Sequence, residues 1–252
     1  MLHQKIGVAD LENKKISPST GKLLQSSSTH TVNLQHQPSK VEKFRSAIPM
    51  TTRSKGKKKF LGFSKTQAFQ LLNLKELTPW EIKVDPVELS DFFIQHLQRL
   101  RRNFDLEGYE EAKKLLIDAI CDEAIDSCTH LRIWKGAKLE SDIAGGFVDY
   151  LIAERQRYLT SPLLCVVEAK KDNFEQGLAQ CLVEMYACQW NNQKIDRPID
   201  VFGIISNGAS WQLYRLTRSG EVFESAAYST GDMEFLIARL RFVFQMCEQT
   251  LH

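Results

Sequence analysis

A chain of 252 residues with 43% hydrophobic content can bury one sizeable core, and it holds no apolar run long enough for a membrane span. Its formal net charge of +2 hides a division: residues 1–60 carry 12 Lys/Arg against 3 Asp/Glu, whereas the remainder carries 21 basic and 28 acidic residues. An acidic body argues against tight, non-specific duplex binding by a broad basic face. The first residues, MLHQKIGVADLENKK, lack the apolar segment of a secretory signal. Six cysteines (121, 128, 165, 181, 188 and 247) occur without a CxxC pair and sit in apolar stretches. They read as buried thiols of a reducing compartment, the cytoplasm, and not as a disulfide frame or a zinc site.

Residues 1–58 are rich in Ser, Thr, Gln, Lys and His, show no sustained period, and are expected to be a disordered basic segment. The run from Arg53 to Lys59 reads as a solvated lead, with contact to a phosphate backbone as the sharper alternative. Residues 59–104 form a helical lead. Phe60 to Leu74 carries a short apolar helical pattern, and Pro79 to Val84 is extended. A helix then starts with Asp85 as N-cap, Pro86 at its first position and Glu88 at its third, and runs to about Arg101.

The α/β domain spans residues 105–252. Its first helix, Glu107 to Ser127, has Ala112, Leu116, Ala119 and Ile120 on an apolar side. Glu123, four residues after Ala119 and seven after Leu116, falls on that same side, and Glu110 and Glu111 replace it if the register differs. His130 to Lys135 is a short strand. Gly146 to Ala153 and Leu163 to Ala169 are apolar, rich in β-branched residues, and pair as antiparallel strands. Each bears a carboxylate where a buried strand should not: Asp149 in the first, Glu168 in the second, two residues before Lys170. Alternation puts Glu168 and Lys170 on one face. Such charges at the end of an apolar sheet are costly unless something polar binds there, and a divalent metal is the usual partner. Asn173 to Trp190 is a helix that carries Gln176 and Gln180, the second near the boundary of its apolar face. Ile199 to Ser206 is a buried strand followed by an Asn207-Gly208 turn. Trp211 to Thr217 and Val222 to Tyr228 make a hairpin in which Trp211 and Tyr214 pack, and a helix from Gly231 to Leu251 closes the chain.

The ordered set of Asp149, Glu168-Ala169-Lys170, a Gln-bearing helix and Asn207-Gly208 before Trp211 resembles the active-site signature of the PD-(D/E)xK nuclease superfamily. The likeness covers roughly residues 105–250 and is closest in motif order to the N-terminal nuclease domain of type I restriction enzyme motor subunits. Val148 stands where the superfamily often has proline. The resemblance implies an α/β, restriction-endonuclease-like mixed central sheet flanked by helices. It further implies that Asp149, Glu168 and the Ala169 carbonyl hold Mg²⁺ or Mn²⁺, with Glu123 adding a ligand directly or through water. Lys170 would orient the attacking water or stabilise charge on the phosphate, and Gln180 would lie near the metal or the scissile phosphate. The expected partner is nucleic acid, DNA before RNA, with a second copy or a partner subunit alongside, and the expected setting is restriction, defence or repair. No GxxxxGK[ST] loop occurs, so the chain carries no nucleotide-driven motor of that kind. The alternative is a nuclease fold kept as a non-catalytic binding or scaffold module.

Overall fold

A computed structural model describes residues 56–170 and 174–251, so most of the basic lead lies outside the described residues. The strands are β1 (Thr78–Trp80), β2 (Leu131–Glu140), β3 (Gly145–Glu154), β4 (Leu163–Ala169), β5 (Val201–Ser206), β6 (Ser210–Leu216), β7 (Val222–Ser225) and β8 (Tyr228–Ser229). The helices are α1 (Lys65–Leu71), α2 (Asp91–Asn103), α3 (Glu110–Ile125), α4 (Phe174–Lys194) and α5 (Met233–Gln249). All the strands join one mixed sheet in the order β1-β7-β6-β5-β4-β3-β2, with β8 on β6. The pairs β4–β5 and β1–β7 are parallel, and the rest are antiparallel. The expected α/β architecture, a mixed sheet flanked by helices, is what the chain forms.

Two apolar layers sandwich the sheet. On one face Tyr150, Ile152, Val167, Phe202 and Ile204 pack with α2, α3 and α5. On the other, Leu151, Ala153, Val166 and Ile205 pack with α1 and α4. Period-two alternation along β4 and β5 divides their side chains between these layers, and with both faces covered the strands read as near-continuous apolar runs. Helix α4 is the crossover between parallel neighbours β4 and β5, and it lies close because Gly203 has no side chain. A Cβ there would stand 2.5 Å from both Cys181 Sγ and Met185 Sδ. The helix is buried almost all round from Gly177 to Gln189, not only along the single stripe its periodicity suggested.

Three local expectations change. Helix α2 begins at Asp91, capped by Ser90, whose Oγ accepts from Phe93 N at 3.1 Å. The Asp85-Pro86 start signal loses to tertiary partners: Val87 N donates to Glu234 O at 3.3 Å, tying the segment to α5 in extended form. Strand β2 runs to Glu140, past Lys135, with Gly136 passed over in the register at a left-handed φ of 62°. The described end of the basic lead is largely exposed, as expected, but it is tied to the sheet. Lys58 N donates to Ile143 O at 3.1 Å, Lys58 O accepts from Gly145 N at 3.0 Å, and Lys57 pairs with Glu140 at 2.9 Å. Strand β1 makes the 59–104 lead part of the same sheet. Among the described residues no helix is long and apolar enough to cross a membrane. All six cysteines are free and buried, and burial pushes the thiols of Cys121, Cys165, Cys181 and Cys188 well up.

Candidate functional site

Strands β3 and β4 pair from Ala153↔Leu163 to Tyr150↔Val167, and the next step of that ladder sets Asp149 across from Glu168. Residues opposite one another on neighbouring strands share a face. Here the strands part and the carboxylate of Asp149 turns to the backbone, its Oδ2 accepting from Ala169 N at 3.0 Å. Gly136 is the residue that the β2–β3 register passes over opposite Asp149, so the left-handed kink falls at the same level of the sheet. Glu168 and Lys170 point to the α4 side as alternation requires, and Lys170 Nζ lies 2.7 Å from Glu168 Oε1.

Helix α4 completes the lysine's surroundings. Lys170 Nζ donates to Gln180 Oε1 at 3.0 Å, which places Gln180 and not Gln176 in the cluster. Gln176 instead donates to Leu61 O and Phe63 O, at 3.0 and 3.2 Å. The approach depends on Gly177, where a Cβ would meet Lys170 Cγ at 3.0 Å and Ile205 Cγ2 at 3.1 Å. Gln180 Nε2 in turn donates to Glu184 Oε1 at 2.9 Å. The chain Glu168–Lys170–Gln180–Glu184 thus runs from the sheet into the helix.

Two further residues, Lys114 and Glu184, belong to this cluster, and only the second carries a signal in the sequence. Lys114 of α3 lies 3.1 Å from Asp149 Oδ1, 2.9 Å from Glu111 and 3.6 Å from Glu110. Burial acts against its charge, but the hydrogen bonds to Glu111 and Asp149 outweigh that and hold the ammonium above the usual lysine range. A lysine in a helix rich in charge announces nothing by spacing. Glu184 is different: it is the only charged residue between Leu178 and Gln189, and a lone carboxylate in an apolar helical stretch is a legible anomaly.

Burial pushes the Glu168 carboxyl up to about 7, the Asp149 charge adds to the effect, and the Lys170 ammonium opposes without cancelling it. The Glu184 carboxyl is raised well above the usual range, first by complete burial and then by the charge of Glu168.

Glu123 does not join this cluster, which corrects the expected ligand set. It is buried on the apolar side of α3 as its spacing required, but nine residues beyond Lys114, about 13 Å along the helix axis. Its carboxylate accepts from Ser90 N at 3.1 Å and Ser90 Oγ at 2.7 Å, and pairs with Arg241 at 3.1 Å. Glu123 is a tether of α2 and α5 to α3. Glu110 and Glu111, the substitutes in the first turn, are the α3 acids at the site, linked to Asp149 through Lys114. Truncating Glu123 to Ala is therefore expected to cost about 1.5–3 kcal/mol of stability in urea unfolding, because the Ser90 donors and the Arg241 guanidinium lose their acceptor.

The donor set suits a hard cation. Glu168 Oε2 is buried with no hydrogen-bond partner, the Asp149 charge acts on the same carboxyl, and carboxylate oxygens are donors that a hard cation prefers. Among the described residues no group of three or more His, Cys, Asp or Glu forms a protein cage for a metal. Mg²⁺ requires no such cage, since it binds through one or two carboxylates and completes its shell with water and substrate phosphate. Asp149 and Glu168 fit that pattern, with the Lys114 ammonium standing at Asp149 Oδ1. Compared with known protein families and with curated proteins, the chain matches none.

Proposed function

We propose that this chain is a metal-dependent nucleic-acid phosphodiester hydrolase of the PD-(D/E)xK, restriction-endonuclease-like kind, acting on DNA in preference to RNA in a restriction, defence or repair setting. The observation that supports it is the convergence of Asp149, Glu168 and Lys170 at one sheet end, with Gln180 hydrogen-bonded to the lysine. Asp149 and Glu168 would hold Mg²⁺ or Mn²⁺, which when bound supplies charge neutralisation at the phosphate and a more acidic water. The chain's own part is positional. Glu168 fixes the Lys170 ammonium at 2.7 Å and Gln180 fixes it at 3.0 Å, and a cation held in this way would stabilise charge on a phosphate oxygen or orient an attacking water.

Incubation of supercoiled plasmid, linear duplex and single-stranded DNA with the full chain tests this reading. Nicking or cutting that requires Mg²⁺ or Mn²⁺ and stops with EDTA is the expected result. Intact substrates at every metal concentration would sink it.

The second reading is a binding or scaffold module without catalysis, and one observation favours it. Lys114 already neutralises Asp149, so an ammonium occupies part of the space a metal would use. In that case the chain binds nucleic acid or a partner with the same affinity in EDTA as in Mg²⁺.

A further inference from the structure

We infer that Glu184 is a positioning residue that sets Lys170 through Gln180; this rests on Lys170 being the site lysine. A primary amide has two ends of nearly the same shape. Turned one way, Gln180 offers its carbonyl to Lys170; turned the other, it aims N–H groups at an ammonium, donor against donor. Glu184 resolves the choice. It lies four residues on along α4, and its Oε1 accepts from Gln180 Nε2 at 2.9 Å, a bond that an oxygen carrying no proton makes only with the NH₂ end. The carbonyl is then committed to Lys170 Nζ at 3.0 Å.

Packing does not explain a glutamate at this position. Glu184 is fully buried, and its Oε2 has no hydrogen-bond partner. An unbranched apolar side chain of similar length would fill the space without leaving a polar atom unsatisfied. The acceptor function survives in either charge state provided that a proton, when held, sits on Oε2, the oxygen without a partner. What the glutamate provides beyond an apolar residue is the orientation of one amide.

The test compares wild type with Glu184→Met and Glu184→Gln, using the full chain. The first readout needs no activity: solvent exchange of the Gln180 side-chain amide by NMR, its resonance identified by loss in Gln180→Glu. Wild type and Glu184→Gln should protect that amide at least about tenfold over an exposed glutamine, and Glu184→Met should lose the protection. The second readout is cleavage. Glu184→Met should lower kcat about tenfold at unchanged KM while raising Tm by about 2–4 °C, and Glu184→Gln should restore the rate. A structural residue would instead lose stability and rate together. The inference is overturned if Glu184→Met keeps the protection, or if Met and Gln variants behave alike. Should Glu184→Met fail to fold, fast exchange of the Gln180 amide in wild type alone overturns it. If wild type cleaves nothing yet shows the predicted exchange pattern, the nuclease reading fails and the amide relay stands.

Discussion

Replacing Lys170 by Ala should lower Mg²⁺-dependent cleavage by about 10²–10³-fold, the usual cost of deleting one preorganised charge at a reacting phosphate. The same change should not weaken metal binding. Lys170 sits 2.7 Å from Glu168, so removing its ammonium relieves a like charge beside the cation and leaves both carboxylates in place. Rate and affinity therefore separate: single-turnover cleavage falls while the Mg²⁺ concentration for half-maximal response stays the same or drops. Lys170→Arg keeps the charge but cannot place a compact ammonium on Gln180 Oε1, and it should recover only part of the rate. A Lys170→Ala protein that cuts at the wild-type rate would remove the lysine from the chemistry.

The second large effect is a stability that depends on pH through Glu168. In EDTA, the folded chain holds this proton up to about 7, whereas an unfolded chain releases it near the ordinary glutamate value. A raised carboxyl pKa contributes stability that is complete below the unfolded value and is lost as pH rises through the folded value. The Glu168→Gln chain carries no such proton. Relative to wild type it should gain stability between pH 5 and pH 8, by up to about 3 kcal/mol at the upper end. Urea unfolding at pH 5, 6, 7 and 8 measures it. Added Mg²⁺ should reverse the order, stabilising wild type more at pH 8 than at pH 6, since metal and proton compete for the same oxygens, and leaving the variant unmoved. A stability difference that is flat with pH would show that Glu168 is not the strained, proton-holding group the geometry implies.

Much of this site could be read before folding, and the rest depended on distance across the sheet. Glu168 and Lys170 are two residues apart on one strand, so period two alone put them together. Asp149 followed once two adjacent apolar runs were paired, because register then dictates its neighbour. Helix period also put Glu123 on the buried side correctly. It could not say which end of α3 faces the carboxylates, and that end is the N-terminal one, where Lys114 stands. The Asp85-Pro86 cap failed for a similar reason: a local start signal was outweighed by Val87 bonding to α5 and Ser90 bonding to Glu123. Gln180 and Glu184 were visible as residue types, but their joint role required knowing that α4 is enclosed on nearly every side.

Mn²⁺ titration of the metal-free chain, followed by the loss of the free-ion paramagnetic signal, tests most directly whether Asp149 and Glu168 share one divalent cation. Wild type should take up Mn²⁺ at a single saturable site from which Mg²⁺ displaces it, and Asp149→Asn or Glu168→Gln should weaken uptake at least about tenfold. Undiminished binding in both variants, or no binding by the folded wild-type chain, would contradict it.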